Sequence, residues 1–361
     1  MQNFVPAAKM NGSGNAILIM DMRGEDNKSG QKNKITPGLV RLLAQQQSTA
    51  FDQLMVLYDR ESAAPNAAYQ VEIWNCDGTK AKACGNGTRC LAEYLWRRQR
   101  QRDKNGAAVF SFATAGGPVT AMRRSNGAIT VTMGRPRFDP PAIPINFTPE
   151  DMNYVPLAAL LPPGKAAPGF TALFPPDAAV LSIGNPHAVF FLPAEAPQPL
   201  AAWPLAEFGA MLEKSPVFPE GVNVSLAQIT APDCISLHVW ERGAGLTQAC
   251  GTAACAAAIA ALRRGLINKG APRRDIIKQD MLINKTAQRR GLAGQKTAGH
   301  SRNEAEIKVT LPGGPLIIGL ADGLCRLTGP TEYEYAGFIT LADGVFHRHS
   351  EGAGSDQDTT G

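Results

Sequence analysis

The sequence predicts an α/β protein built from two similar domains that face one another. Three observations carry that expectation. The chain has 361 residues, enough for two domains of ordinary size. Short apolar runs that read as strands alternate with stretches of helical spacing. One local order, strand then Ala-Cys-Gly then helix, occurs twice. Ala83-Cys84-Gly85 and Ala249-Cys250-Gly251 each precede a helical stretch, and each cysteine is followed thirteen residues later by an arginine pair, Arg97-Arg98 and Arg263-Arg264.

Taken in order, residues 15–22, 54–58 and 70–74 read as strands from their Ile, Leu, Val and Met content, with a polar loop at 23–37. Asp77-Gly78 is a turn dipeptide. Residues 88–100 have helical spacing, with Leu91, Leu95 and Trp96 on the apolar side, and 107–112 and 128–133 read as strands. The Pro-rich stretch 136–144 marks a domain boundary, and 145–176 reads as an irregular connection. Strands follow at 187–192 and 234–240, then an Ala-rich helix at 253–264. Residues 270–304 show little apolar periodicity and read as an insertion. Strands resume at 305–311 and 316–320, and the end of the chain reads as a disordered tail. The domains are therefore drawn as 1–145 plus 326–345, and 146–325 with the insertion, followed by the tail 346–361.

Composition excludes several classes. Hydrophobic content of 44% with 19% charged residues describes a globular chain rather than a disordered one. No apolar run reaches the ~18 residues that would span a bilayer, and residues 1–9 do not resemble a secretion signal, so a cytoplasmic protein without a membrane partner is expected. The net charge of +5 is local. Residues 263–308 hold twelve Lys/Arg against four Asp/Glu, which leaves the remainder slightly acidic. That segment reads as a solvated loop, and no nucleic-acid partner is expected. Seven cysteines, an odd number without a CxxC pair, argue against both a disulfide framework and a zinc site. Gly12-Ser13-Gly14 is too short for a dinucleotide fingerprint and no P-loop is present. Neither a metal nor any other cofactor is expected.

Cysteine is thus either core filler or chemistry. Cys76, Cys234 and Cys325, in or near apparent strands, read as core filler, and Cys90 and Cys255, inside the two helices, as packing residues. Cys84 and Cys250 differ, because each opens a helix. There the unpaired N–H groups and the helix dipole favour a thiolate and can hold a carboxylate. Inverting an amino-acid α-carbon needs a base on one face, an acid on the other, and strong stabilisation of the carbanion between them. Two cysteines at two helix N-termini meet that need.

These segments resemble the diaminopimelate epimerase family. Ala83-Cys84-Gly85-Asn86-Gly87-Thr88-Arg89-Cys90 is similar to its first cysteine motif. Glu241-Arg242-Gly243-Ala244-Gly245, Thr247 and Ala249-Cys250-Gly251-Thr252 are similar to its second. The likeness extends through Lys9-Met10-Asn11-Gly12-Ser13-Gly14-Asn15, Asp52-Gln53, Asn75-Cys76-Asp77-Gly78, Gly184-Asn185-Pro186-His187, Leu311-Pro312-Gly313-Gly314 and Thr328-Gly329-Pro330. The resemblance implies two domains, each a mainly antiparallel sheet wrapped around a central helix, with the site in the cleft between them, and usually a homodimer. It implies interconversion of LL- and meso-diaminopimelate, an amino-acid substrate of lysine and cell-wall precursor synthesis. Cys84 and Cys250 would be the acid/base pair, oriented and tuned by His187 and Glu241. Asn15, Gln53, Asn75, Asn185, Asn223 and Arg242 would hold the substrate, with the backbones of Gly85, Asn86, Gly251 and Thr252 on the reacting carboxylate.

Without the resemblance, His187 reads as structural, Asn75 as a turn residue and Asn223 as a loop residue. Arg242 has its own case, since guanidinium grips carboxylate with two prongs. The chain departs from the family at Ala16-Ile17, where Asp-Phe is usual, at Leu246, where Glu is usual, and at Ala253, where Gly is usual. The alternatives are a two-cysteine racemase of the histidine or proline type, and a non-catalytic binding protein on the same fold. An isomerase of the phenazine-biosynthesis type lacks the cysteine pair.

Overall fold

The computed structural model describes residues 4–24, 35–59, 67–100, 109–164, 168–196, 198–267 and 305–348. The chain divides into two units, residues 1–118 with 331–361, and residues 119–330. The expected insertion at 270–304 and the tail from 351 lie outside the described residues.

In the first unit, β1 (Phe4–Asn11) and β2 (Ala16–Asp21) form an antiparallel pair, joined by a turn through Gly12-Ser13-Gly14. Helix α1 (Pro37–Gln45) is started by the Thr36 side chain, which accepts from the Leu39 N–H, and by Pro37, whose missing N–H costs nothing in a first turn. It leads to β3 (Gln53–Asp59), parallel to β2. Strand β4 (Tyr69–Asn75) returns antiparallel to β3, and β5 (Lys80–Ala81) folds back on β4. Helix α2 (Gly85–Arg100) follows, and β6 (Val109–Thr114) pairs parallel with β4. Two strands from the end of the chain, Glu332–Thr340 and Phe346–Arg348, extend this sheet beside β1. Cys90, Leu91, Ala92, Tyr94 and Leu95 of α2 are buried, whereas α1 packs with Leu18, Met20, Leu54, Val56 and Trp74.

The second unit begins within β7 (Gly117–Arg123), which pairs with β8 (Ile129–Gly134). A long connection holds β9 (Val155–Pro156) and two four-residue helices, α3 (Leu157–Leu160) and α4 (Pro168–Thr171). The order of the first unit is then retraced. Strands β10 (Asp177–Ser182) and β11 (Pro186–Leu192) are antiparallel, and α5 (Leu205–Glu213) leads to β12 (Asn223–Ala231), parallel to β11. Strand β13 (Cys234–Glu241) returns antiparallel, β14 (Gly245–Thr247) folds back on it, α6 (Gly251–Arg264) follows, and β15 (Ala305–Leu311) runs parallel to β13. Antiparallel β16 (Gly314–Ala321) and β17 (Leu324–Gly329) complete the sheet against β8.

Helix α6 is buried from Ala253 to Ala261, and its alanines let the surrounding strands approach closely. Gly265, with φ +66°, ends it in the left-handed conformation that glycine adopts freely. Arg263 and Arg264 in its last turn bond Asn153 Oδ1 at 2.9 Å and Asp177 Oδ1 at 2.7 Å.

Several expectations are corrected. The first helix starts at Gly85 rather than residue 88, because Cys84 already supplies the carbonyl for its first hydrogen bond. The second starts at Gly251 rather than 253, for the same reason. Cys76 is exposed in the turn after β4, not core filler. Residues 346–348, assigned to the tail, pair with the neighbouring strand. The stretch 136–144 lies within the second unit, where Arg137 bridges Ser182. No described helix is long and apolar enough to cross a membrane.

Candidate active site

The repeat places equivalent residues at equivalent points of each unit. Asn15 precedes β2 and Asn185 precedes β11. Gln53 opens β3 and Asn223 opens β12. Asn75 ends β4 and Glu241 ends β13. Cys84 and Cys250 immediately precede α2 and α6.

In the first unit, β3 and β4 pair Gln53 with Asn75. Asn15 Nδ2 donates to Gln53 Oε1 at 2.9 Å, and Cys84 Sγ lies 3.6 Å from the same oxygen. That arrangement suits a protonated thiol, which donates. Rotating both amides by 180° would keep the Asn15–Gln53 bond and turn an N–H toward sulfur, which suits a thiolate. The Gly87 N–H already points at Sγ, at 3.2 Å. The Thr88 N–H takes the Cys84 carbonyl, so the N–H groups of Gly85 and Asn86 precede the first intrahelical bond. Asn75 donates Nδ2 to Thr79 Oγ1 at 3.0 Å within the β4–β5 turn.

Behind the first turn of α2 lies a residue to which the sequence alone attaches no role. Arg89 is fully buried, and it donates Nη1 to Asn86 Oδ1 at 2.9 Å and Nη2 to Ser13 Oγ at 3.0 Å. Gly12 packs so tightly here that an added Cβ would lie 3.2 Å from the Asn86 backbone oxygen and from Cys90 Sγ. The only signal in the sequence was the position of Arg89 inside the first cysteine motif, since a helical arginine ordinarily faces water.

In the second unit, Cys250 is 5% exposed, and its Sγ lies 3.4 Å from Thr252 Oγ1. Burial is the main cause that raises its pKa well above an ordinary thiol. The charge of Glu241 adds to it, while Thr252 and the Ala253 N–H pull the other way. This corrects the expectation that a helix N-terminus alone would favour thiolate at Cys250: burial and the neighbouring carboxylate raise its pKa. Glu241 also accepts a short hydrogen bond from Thr247 Oγ1. The Ala254 N–H takes the Cys250 carbonyl, which leaves the Gly251 and Thr252 N–H groups ahead of the first helical bond.

His187 is fully buried, with Nε2 3.0 Å from Asn185 Oδ1, and Asn185 Nδ2 donates to Thr252 Oγ1 at 3.3 Å. His187 therefore reaches Cys250 within this unit through Asn185 and Thr252. Burial, aided by Arg242, pushes its pKa down to about 3, so the imidazole is neutral at physiological pH. Asn223 Nδ2 donates to the Pro186 carbonyl at 2.8 Å, and its Oδ1 accepts from the Arg242 N–H at 3.1 Å. The Arg242 stem lies against Gly221, where a Cβ would come within 2.9 Å of Cδ and where φ is +71°. Its Nη1 donates to the Glu220 carbonyl at 2.6 Å. Glu213 of α5 holds the same turn by accepting from the Gly243 N–H at 2.9 Å and Trp240 Nε1 at 2.6 Å.

Asn15 Oδ1 and His187 Nδ1 are both buried without a hydrogen-bond partner. An acceptor and a ring nitrogen buried so are costly unless a polar group meets them. Among the described residues, no group of three or more His, Cys, Asp or Glu could hold a metal ion.

The family model described as diaminopimelate epimerase matches residues 7–138 and 179–283. A protein from Brucella melitensis biotype 1, named diaminopimelate epimerase, is 37% identical over 346 residues, covering 96% of this chain and 94% of its own. One of the same name from Brucella canis is 37% identical over 352 residues, with the same coverage. Among solved structures, a hydroxyproline epimerase from Agrobacterium vitis superposes with a TM-score of 0.55 at 12% identity, covering 93% of this chain and 91% of its own. A phenazine biosynthesis protein of the PhzF family from Bacillus anthracis does so with 0.52 at 11%, covering 93% and 99%. These two show a shared fold of paired sheet-and-helix units. With two thirds of the chain matched by the family model and 37% identity over nearly its whole length, the chain belongs to the diaminopimelate epimerase family.

Proposed function

We propose that the protein interconverts LL- and meso-diaminopimelate, with Cys84 and Cys250 as acid and base on opposite faces of one α-carbon. The observation that carries this reading is the pair of cysteines at equivalent helix N-termini with unequal surroundings. Cys84 has the amides of Asn15 and Gln53 and the Gly87 N–H beside it, whereas Cys250 is buried beside Glu241. A two-base reaction needs one cysteine charged and the other protonated at the start, and burial, with the Glu241 carboxylate adding to it, keeps Cys250 protonated.

The step balances as a proton transfer. Cys84 thiolate takes the α-proton, and the electron pair of the C–H bond passes onto the α-carbon and its carboxylate. The thiol of Cys250 then delivers its proton to the opposite face, which leaves Cys84 as thiol and Cys250 as thiolate. The reverse direction starts from that exchanged state. The N–H groups of Gly85, Asn86, Gly251 and Thr252 stabilise the charge that grows on the carboxylate. Glu241 adds to the burial that keeps Cys250 protonated, and neutral His187 orients Asn185. Asn15, Gln53, Asn75, Asn185 and Asn223 hold polar ends of the substrate, and Arg242 grips the distal carboxylate. No cofactor enters the reaction so written. We further propose a cytoplasmic protein, since all seven cysteines are free thiols and a reducing compartment suits a thiolate base, and a homodimer, the assembly the family resemblance implies.

Purified protein incubated with LL-diaminopimelate in deuterated water should yield the meso isomer with deuterium at the inverted α-carbon. Inversion without deuterium uptake would contradict proton exchange. Turnover of proline or histidine instead would reassign the substrate.

A further inference from the structure

The two cysteine sites are equivalent in topology but not in what lies behind them. Five residues after Cys84 stands Arg89, and five residues after Cys250 stands Cys255, both fully buried. We propose that Arg89 is a positioning residue for the reaction: its guanidinium locks the Gly12-Ser13 turn to the first turn of α2 and makes this the site of the charged cysteine. The proposal rests on the reading of Cys84 as one of the acid/base pair.

The geometry is a fork between two segments. One arm holds Asn86 Oδ1, and so the helical residue whose backbone N–H would meet the substrate carboxylate; the other holds Ser13 Oγ, one residue from Gly14 and two from Asn15. Asn15 in turn orients Gln53 beside Cys84 Sγ. Ser13 has φ +61°, a left-handed conformation that non-glycine residues seldom adopt, and the arginine bond helps hold it there. The turn thus has a fixed shape on which both the Cys84 partner chain and the carboxylate cradle depend.

The charge acts at the same place. The pKa of Cys90, one residue on, is pushed up to about 12, chiefly by burial; the Arg89 charge opposes this and Cys84 adds to it, so both groups are felt at one buried point. The other charges near that point are Lys9 on β1 and Glu334 on the strand that pairs with it, 3.8 Å apart, and Glu93 one turn further along α2, bonded by Arg97 at 2.9 Å. A buried guanidinium stays charged at any working pH and favours an anion at the helix start. The second unit has Cys255 at that position and Glu241 beside its cysteine, the opposite bias.

The test compares Arg89→Met, which keeps the stem and removes the charge, with Arg89→Lys, which keeps the charge and removes the fork. For each, kcat and KM for LL-diaminopimelate are measured with thermal unfolding, and the pH dependence of alkylation at Cys84 is followed by peptide mass spectrometry, with exposed Cys76 as internal control. In the Met variant kcat should fall about tenfold or more with KM changed less than about threefold, since the cradle acts most on charge formed in the transition state. Its Cys84 inflection should move to higher pH while that of Cys76 stays. The Lys variant should restore the inflection and only part of kcat. An unmoved Cys84 inflection, or turnover per folded molecule within twofold of the unaltered protein, would overturn the proposal. Should the Met variant not fold, Ser13→Ala removes one arm at little packing cost; kcat unchanged in that variant would overturn it equally. Failure of the parent reading is separate, because Cys84→Ala would then remain active.

Discussion

Asn223→Ala tests whether the second unit builds its site by clamping backbone rather than by side chains alone. Asn223 is nearly fully buried and joins two segments: Nδ2 donates to the Pro186 carbonyl at 2.8 Å, and Oδ1 accepts from the Arg242 N–H at 3.1 Å. Alanine removes both bonds and leaves both backbone groups without that partner. A net hydrogen bond contributes about 1 kcal/mol, and a buried group left unsatisfied costs about 1–3 kcal/mol, so the two losses together come to about 2–6 kcal/mol. For a unit of about 200 residues, ~3 kcal/mol lowers the unfolding midpoint by about 6–12 °C. Function should suffer as well, because the Arg242 backbone then loses this anchor, while the Arg242 side-chain bond to Glu220 and the Glu213 brace on the next residue remain. KM should rise, and the folded fraction should fall with temperature earlier than in the unaltered protein. Calorimetry and initial rates at a temperature where both proteins are folded separate the two effects. A midpoint shift below about 1 °C with unchanged KM would refute the clamp.

Other outcomes follow from the same site. Glu241→Gln removes one of the causes that raise the Cys250 pKa, so the pH inflection for Cys250 alkylation should move downward; an unmoved inflection would show that burial alone sets it. His187 titrates at about 3 when folded and near 6.5 when unfolded. The unfolded chain therefore binds a proton that the folded chain refuses between these values. The stability tied to the neutral ring is complete above ~6.5 and lost as pH falls toward 3. His187→Gln should accordingly flatten the acid limb of the stability curve, read from urea midpoints at pH 7.5 and 4.5, and an equally steep limb would count against it.

The parts of the fold legible in sequence were those whose signal is local. Strands β3, β4, β11 and β13 announce themselves by dense Ile, Leu, Val and aromatic content. The two helices show through Cys-Gly starts and through apolar spacing or a run of alanines. Strand β1 was missed because Phe4–Asn11 contains Pro6, Lys9 and three small or polar neighbours, and becomes a strand by pairing on both sides, with β2 and with Glu332–Thr340. Helices α1 and α5 were missed because each is nine residues long and α5 lacks a side-chain cap. Cys76 was misplaced because the strand before it ends at Asn75, and one residue decides between core and turn.

At the site, the residues named from the two cysteine motifs and their companions fall at corresponding points of the repeat, which motif and topology together make intelligible. What spacing could not reveal is how the two halves differ. The bond that ties the buried Arg89 guanidinium behind Cys84 to Ser13 is a contact between segments tens of residues apart. The same holds for Glu213, which reaches the β13–β14 turn from α5.

The central claim is that two cysteines, and no third group, move the α-proton. Its most direct measurement is α-proton exchange by NMR in deuterated water for the Cys84→Ala and Cys250→Ala variants, each with LL- and meso-diaminopimelate. The account predicts that neither variant epimerises, that the variants differ in which isomer, if either, still exchanges its α-proton, and that Cys90→Ala and Cys255→Ala retain epimerisation with at most a packing loss of stability. Substantial epimerisation by either the Cys84 or the Cys250 variant would contradict it.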